Sequence, residues 1–317
     1  FSTWTPYLES RAEARRVYEY AAACGGDVMV TLWVLGAHRE LRDHLREQVA
    51  DALARGVIPS AVLDLAMLAR VHNVLGEYDE AQACLAEGIT LLPRIAATSN
   101  AAFQLFAAFG GQGIVLGQLV PSAALSVPVP YGDAPDVRWA LIAMTAVRGF
   151  LLAQEGNTEE AIAVLREVLP VVERAGGWAP NYPLILHAVV YMLWLLQRTD
   201  EVDIVEHNLR TKVIEPDVRY VETDGRWALA LLCALDGRID ESRAWFDEAR
   251  HVLTEQGSET LLIAVDYNEA EMNLRLGGPE ELARARPLFD RARSRCAHPA
   301  VAPWLARIDE LSARCIL

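Results

Sequence analysis

The amino-acid sequence predicts an all-α protein built from about seven helical hairpins in a row. Strand-type alternation is nearly absent, and a short turn between two apolar segments recurs along the chain. The residues that mark this turn are Gly36, Gly76, Gly117, Gly156, Gln197, Gly237 and Gly277. Subtraction of successive positions gives intervals of 40, 41, 39, 41, 40 and 40 residues. A constant period in this range is typical of repeat arrays, in which each unit packs on its neighbours.

Each unit shows the same order of residue types around its turn. An apolar segment at helical spacing comes first, and the turn residue then supplies the positive φ of a helix C-terminus. Acidic residues open the second helix, where they interact favourably with the positive end of its dipole. These pairs are Asp79-Glu80, Glu159-Glu160, Asp200-Glu201 and Asp240-Glu241. A small residue and then a large one follow, as in Ala81 and Leu85. This order predicts two closely packed helices in every unit.

The unit from Val62 to Pro93 is the best formed, and it resembles the tetratricopeptide repeat. The matching positions are Ala69, Gly76, Tyr78, Ala81, Leu85, Gly88 and Pro93. Two later units, around Gly156 and Gly237, match more loosely. The period of about 40 exceeds the 34 residues of that family, which predicts longer helices or longer links. The resemblance covers roughly residues 25 to 295.

The resemblance implies a right-handed superhelical solenoid whose first helices line a concave groove. The unit is similar to the divergent repeats in the C-terminal region of large bacterial regulators, namely LuxR-family and other ATPase-coupled activators, and some nucleotide cyclases. It therefore implies a non-catalytic regulatory or scaffold domain, in signalling or transcription regulation, that makes protein–protein interactions or binds a peptide or a small effector. The chain contains no ATPase, cyclase or DNA-binding motif.

Five segments are expected along the chain. Residues 1–24 form an N-terminal helix or cap, 25–109 a first repeat block, and 136–296 a second repeat block. Residues 110–135, rich in Gly and Pro, are expected to link the blocks and to allow a bend, and 297–317 to form a capping helix. Because the chain begins at Phe1 without Met, we expect a fragment or a processed chain of a larger protein.

Composition excludes several classes of protein. The formal net charge of −14 disfavours direct binding to nucleic acid. No apolar run reaches the ~20 residues of a membrane span, and we expect no signal peptide. The five cysteines are far apart and form no CxxC, which is typical of free thiols in a reducing cytoplasm. We therefore expect a cytoplasmic protein that contacts no membrane.

The sequence contains no motif for metal, cofactor or catalytic chemistry. The Gly110-Gly111-Gln112-Gly113 cluster has no lysine and no preceding strand, so close packing of two helices or a helix break explains it better than a phosphate loop. His38 and His44 lack the spacing of metal ligands, and His72 falls at a core position. No HExxH, GxSxG or SxxK is present. The sequence predicts no enzyme, no metal and no cofactor.

Helical register selects the candidate binding residues. In the related repeats, the groove-facing positions of the first helix are the third, sixth, tenth and thirteenth residues before the turn. Large aromatic rings with a few polar groups are typical of ligand sites. The candidates on this register are Trp194, Tyr191, His187, Trp227, Tyr267, Glu271, Arg70 and Asn73.

Three alternatives remain open at this point. An aromatic row at helical spacing is also what a packed core shows. A second alternative is an all-α enzyme that uses His187 with Glu271 or Asp224. A third is a purely structural module that spaces other domains or self-associates, for example as a homodimer.

Overall fold

The structure is a computed structural model that describes residues 11–23, 28–95, 135–174 and 182–315, with single positions at 101, 105, 108 and 115. It confirms the all-α class, since these residues form helices and turns and no strand. The helices are α1 Arg11–Ala23, α2 Met29–Leu35, α3 His38–Ala54, α4 Ile58–Leu75, α5 Tyr78–Leu91, α6 Pro135–Gln154, α7 Thr158–Arg174, α8 Tyr182–Leu196, α9 Val202–Leu209, α10 Gly225–Leu235, α11 Ile239–Gln256, α12 Glu259–Leu276, α13 Pro279–Ser294 and α14 Ala302–Ser312. A π-helical turn, Arg210–Ile214, extends α9.

The predicted turn residues adopt the expected backbone conformation. Gly36, Gly76, Gly156, Gly237 and Gly277 have φ between 63° and 80°, the left-handed region that glycine enters without steric cost. Gln197, at the one non-glycine turn, also has a positive φ of 52°. Its side chain donates a hydrogen bond to the carbonyl of Trp194 at 2.5 Å, which holds it against the end of α8. Gly117 and the predicted link 110–135 lie almost entirely outside the described residues.

The small residue at the start of each second helix allows close helix packing. Ala81, Ala161 and Ser242 are completely buried, where α5, α7 and α11 approach the preceding helix. The Ser242 hydroxyl donates to the carbonyl of Ala230 at 2.7 Å, so its polar group is satisfied inside the contact. The large residues that follow, such as Phe246, are also buried and fill the space between helix pairs.

Helix α4 is a core helix. It is long and apolar enough to cross a membrane, but 72% of it is buried inside the protein. It also carries His72, whose Nδ1 donates to Glu77 at 2.5 Å, and Glu77 accepts in turn from Arg42 at 2.6 Å. The prediction that His72 is a packed core histidine is confirmed.

The first helices pack against the last helix pairs, a region that we call the N–C junction. Tyr78 Oη donates to Thr260 Oγ1 at 2.8 Å, and Thr260 donates to the carbonyl of Asn73 at 2.5 Å. Ser258, which precedes α12, shares a hydrogen bond of 3.1 Å with the buried His38. The expectation that units pack only on their neighbours is therefore wrong at this point, because α4 contacts α12 directly.

A non-helical segment, residues 217–224, fills the middle of the N–C junction. The Arg219 backbone N–H donates to the carbonyl of Val34 at 3.0 Å, and the Tyr220 ring packs edge-on against Trp33 at 5.4 Å between centroids. Glu222 forms a buried ion pair with Arg70 at 2.6 Å. The contacts of Tyr220 with Trp33 and of Glu222 with Arg70 hold this segment against α2 and α4.

The Arg70–Glu222 pair gives a first prediction. Arg70→Met leaves a buried carboxylate without its partner, so we expect a loss of about 3–5 kcal/mol in the free energy of unfolding. The double variant Arg70→Met/Glu222→Leu should lose less than Arg70→Met alone. Urea denaturation measures both. Arg55→Ala, which breaks the exposed Arg55–Asp51 pair, is the control and should change stability by less than about 0.5 kcal/mol. Equal losses in the free energy of unfolding for Arg70→Met and Arg55→Ala would show that the Arg70–Glu222 pair does not stabilise the junction.

Two glycines give a second prediction, about how closely the N–C junction is packed. Gly36 and Gly56 both have positive φ, so alanine costs about 1–2 kcal/mol of backbone strain at either position. A Cβ at Gly36 would also come within 2.8 Å of Arg219 Cβ, whereas nothing lies within 4 Å of a Cβ at Gly56. Gly36→Ala should therefore lower the free energy of unfolding by about 1–3 kcal/mol more than Gly56→Ala. Matched losses in chemical denaturation would show that the junction is looser than described.

Candidate ligand-binding site

Three aromatic side chains from two helices form the centre of the candidate site. His187 and Tyr191 lie one turn apart on α8, and Trp227 comes from the first turn of α10. The His187 ring centroid is 4.3 Å from that of Trp227 and 5.0 Å from that of Tyr191. Tyr191 and Trp227 meet edge to face at 5.5 Å, the geometry that aromatic pairs prefer. All three are buried, so they form part of the core and do not face open solvent.

Asn268 of α12 joins this cluster through its side-chain oxygen. Tyr191 Oη donates to Asn268 Oδ1 at 2.5 Å, and Trp227 Nε1 donates to the same atom at 3.1 Å. Both polar ends of the aromatic residues are therefore satisfied inside the core. The pKa of the Tyr191 hydroxyl is raised well above its usual range, first by burial and then by the negative charge of Glu271. Tyr191 stays neutral and acts as a hydrogen-bond donor.

Trp194, Glu271 and Arg275 form the next layer of the site. Trp194 Nε1 donates to Glu271 Oε2 at 2.9 Å, and Arg275 donates to Glu271 Oε1 at 2.6 Å. The Arg275 guanidinium carbon lies 4.0 Å from the Trp194 ring centroid, a close cation–π contact. Glu271 is half-buried, and these donors together with Asn268 neutralise it.

Tyr267 and Arg307 form the part of the site that reaches the surface, and Trp304 is buried next to them. Tyr267 of α12 is half-buried, and its ring centroid lies 5.3 Å from that of Trp304 on α14. Arg307, one turn after Trp304, places its guanidinium carbon 5.2 Å from the Trp304 ring and donates to Gln154 Oε1 at 3.1 Å. This edge therefore joins α12 and α14 to the end of α6. We call it the Arg307 niche.

Six of the eight predicted residues come together here, and the other two lie elsewhere. Arg70 pairs with Glu222 in the N–C junction, and Asn73 accepts there from Thr260 through its carbonyl. Both residues are buried and face inward, but the chain itself fills the space in front of them. Neither lies next to the aromatic cluster.

His187 has an unusual environment for a buried polar residue. Neither ring nitrogen has a hydrogen-bond partner among the described residues, and burial lowers the pKa of His187 to about 3. The carboxylates considered as partners lie in other environments: Glu271 binds Trp194 and Arg275, and Asp224 caps α10 and contacts Arg226. No hydrogen bond among the described residues joins His187 to either, so this trio is not assembled as a general acid–base pair.

One group of side chains has the proximity that a metal site needs. Ligand atoms of Glu206, Cys233 and Glu241 lie within 4.8 Å of one another. Arg210 and Arg238 bind both carboxylates, which neutralises their charge, and the pKa of the Cys233 thiol is raised to about 12, mainly by burial. A protonated thiol and two paired carboxylates are poor ligands. Cys84, Cys233, Cys296 and Cys315 are all free thiols.

Sequence reasoning did not identify Asn268, Arg275, Trp304 or Arg307 as site residues. Asn268 is a polar residue in an apolar stretch, and Arg275 lies four residues after Glu271, the spacing of a helical ion pair. Both signals are visible in the sequence. Trp304 is buried on the last helix, but its register gives no indication that it meets α12. Arg307 carries no local signal.

Comparison with protein-family models gives no match, and no curated protein matches the sequence at a significant level. The site is therefore interpreted from its own geometry.

The unpartnered His187 gives a third prediction. Its pKa is about 3 in the folded state and about 6.5 when unfolded, so the unfolded chain binds more protons between these values. Stability should fall as pH drops below about 6.5, and His187 should account for up to about 1.4 kcal/mol per pH unit. His187→Phe should remove that part of the slope and cost little stability at pH 7, because no hydrogen bond is lost. Denaturation from pH 7 to 5 measures this, and a slope in His187→Phe equal to that of the unchanged protein would contradict the prediction.

Proposed function

We propose that this chain is a regulatory helical-repeat domain that binds a small effector at the Arg307 niche. The observation that carries the proposal is the convergence of α6, α12 and α14 on one edge that combines tilted aromatic rings with polar groups that keep open hydrogen-bond donors. Ligand sites of this kind place a few polar groups in a mainly apolar surface. The aromatic residues behind the niche hold it rigid, since their polar atoms are already bonded to Asn268 and Glu271.

The 40-residue period and the motif match at Val62–Pro93 support a tetratricopeptide-like solenoid as the scaffold of this domain. On this proposal the chain belongs to a larger bacterial protein of signalling or transcription regulation, and it acts in the cytoplasm. Free, mostly buried cysteines fit a reducing compartment. The catalytic or DNA-binding work would belong to other segments or partners, which this domain controls by protein–protein interaction.

A small effector fits the interior better than a peptide or a partner helix. Segment 217–224 and the N–C junction occupy the space in front of Arg70 and Asn73, and the rings of His187, Tyr191 and Trp227 pack on one another. A peptide would have to displace these groups. The Arg307 niche, by contrast, has half-buried side chains at the surface.

The mechanism follows from which helices the niche joins. Gln154 ends α6, Tyr267 lies in the middle of α12, and Arg307 belongs to α14. A ligand that contacts all three would favour the arrangement in which these helices are close together. Ligand binding would thereby shift the population toward one arrangement of the helix pairs. A partner protein that binds this arrangement more tightly would respond to the ligand.

A panel of small neutral, cationic and anionic compounds and short peptides tests this proposal, with tryptophan fluorescence and thermal unfolding as readouts. We expect at least one small compound to bind saturably and to lose most of its affinity in Tyr267→Ala. Tyr20→Ala removes an equally large ring from an exposed position on α1 and should leave binding unchanged. Absence of saturable binding by every class, or equal loss in both variants, would refute the niche as an effector site.

A further inference from the structure

We propose that Arg307 and Tyr267 bind the carboxylate of a small monoanionic ligand whose flat apolar body packs against the half-buried Tyr267 ring. This inference rests on the proposed function and specifies the chemical class of its effector. The ligand would be a monocarboxylate attached to an aromatic or similarly planar group.

Arg307 differs from the other arginines of the protein. Among the side chains that the structure describes, every other partly or fully buried arginine has a carboxylate oxygen within 4.0 Å. The chain has 43 acidic and 29 basic residues, so carboxylates are plentiful. Arg307 instead hydrogen-bonds the neutral Gln154 and contacts the Trp304 ring, and no carboxylate oxygen of the described residues lies within 4.0 Å of it. Burial lowers the pKa of Arg307, an effect that the charge of Glu271 partly opposes, and the guanidinium stays protonated at neutral pH.

The niche also offers free hydrogen-bond donors that solvent can reach. A guanidinium carries five N–H groups in a planar fork, and only one contact, with Gln154, occupies that of Arg307. The Tyr267 hydroxyl makes no hydrogen bond to the described residues. No atom of Arg307 or Tyr267 is among the buried polar atoms that lack a partner, so their open donors are not sealed in the core. A carboxylate matches the guanidinium fork in a two-pronged arrangement.

The pairing of the local charges limits the negative charge that a ligand can carry. Arg307 and Arg275 contribute two positive charges, and Glu271 and Glu310 contribute two negative charges. Glu271 is bonded to Arg275, so the Arg307 guanidinium is the group that can pair with one negative charge of a ligand. Burial raises the pKa of Tyr267, as do the charges of Glu271 and Glu310, so this hydroxyl remains a neutral donor. A dianion such as a phosphate ester would meet Glu271, Glu310 and the overall charge of −14 with one charge uncompensated.

Aromatic rings define where the ligand body would lie. Trp304 and Tyr267 are tilted by 59° at 5.3 Å, and Phe289 lies beyond Tyr267 at 6.5 Å. Trp304 and Phe289 are buried, so the half-buried Tyr267 ring is the aromatic surface of these three that a ligand can reach. A planar group attached to the carboxylate would bury apolar area there, which adds to the affinity of the charged contact.

Saturation-transfer NMR titration with phenylacetate tests the inference on the full chain at pH 7.5. The comparison probes are 2-phenylethanol, its neutral analogue, and phenylphosphate, which carries close to two charges at this pH. We expect phenylacetate to bind at least about tenfold more tightly than either comparison probe, the difference that a charge-assisted pair supplies. Arg307→Gln should weaken the binding of phenylacetate by about tenfold or more and leave the affinity for 2-phenylethanol unchanged. Tyr267→Phe should weaken phenylacetate by about fivefold.

Arg284→Gln is the matched control, because it removes the same charge from an exposed position on α13. It should leave every probe unchanged. Circular dichroism and thermal unfolding establish that each variant is folded, and Arg307→Lys, which keeps the charge but loses the fork, should give an intermediate affinity.

The outcomes separate this inference from the effector proposal. Equal binding of 2-phenylethanol and phenylacetate, with no effect of Arg307→Gln, overturns the carboxylate and leaves a neutral effector site standing. Tighter binding of phenylphosphate than of phenylacetate overturns the inference that the ligand carries a single negative charge. If none of the three probes binds while another compound of the panel does, the carboxylate class is wrong. If no compound of either set binds, the effector proposal itself fails.

Discussion

The structure depends on the closure of the N–C junction around the Arg70–Glu222 ion pair. These residues are separated by 152 positions in the chain, and both charged groups are almost completely removed from water. Such a pair is favourable only where its geometry is well defined and water is excluded. Three contacts keep water away from this pair. Tyr220 packs on Trp33, the backbone of residues 217–224 bonds to α2, and the Thr260 hydroxyl donates to the end of α4. The first helices and the last helix pairs therefore determine each other's positions.

Closure of the N–C junction also determines whether the inward-facing aromatic residues line a groove or form part of the core. In an open array they would line a groove, but here His187, Tyr191 and Trp227 cover one another and share Asn268. Each fully buried side chain of this size contributes roughly 1.5–3 kcal/mol or more to folding, so a substitution in the cluster changes stability before it changes binding. The edge at Tyr267, Glu271 and Arg307 is different, because those side chains are half-buried and keep polar groups available. Core and candidate site are thus two ends of one continuous row.

The local architecture was predictable from sequence because its causes are local. A glycine at a helix C-terminus, an acidic pair after it and a small residue in the next turn each act within a few positions, and Gly36, Gly76, Ala81 and Ser242 behave as predicted. The inward register of Trp194 and Glu271 was predictable for the same reason, and the two residues do meet. The contact of α4 with α12 was not, since small rotations between successive helix pairs accumulate along the chain and no residue pattern encodes their sum. Arg307 was not predicted as a site residue. What distinguishes it is that no carboxylate is bonded to it, and this depends on which residues surround it in the fold.

The N–C junction changes how this chain would fold compared with an open array. In an open array the terminal units have a free side, so unfolding starts there and spreads unit by unit. Here Tyr78 and Thr260, 182 residues apart, cover each other, and neither end can fray without opening that contact. We expect a single cooperative transition with a slow folding step, because contacts over such separations form only after a large loss of chain entropy. The same closure that stabilises the ends makes the whole domain respond as one body to a change at any helix pair.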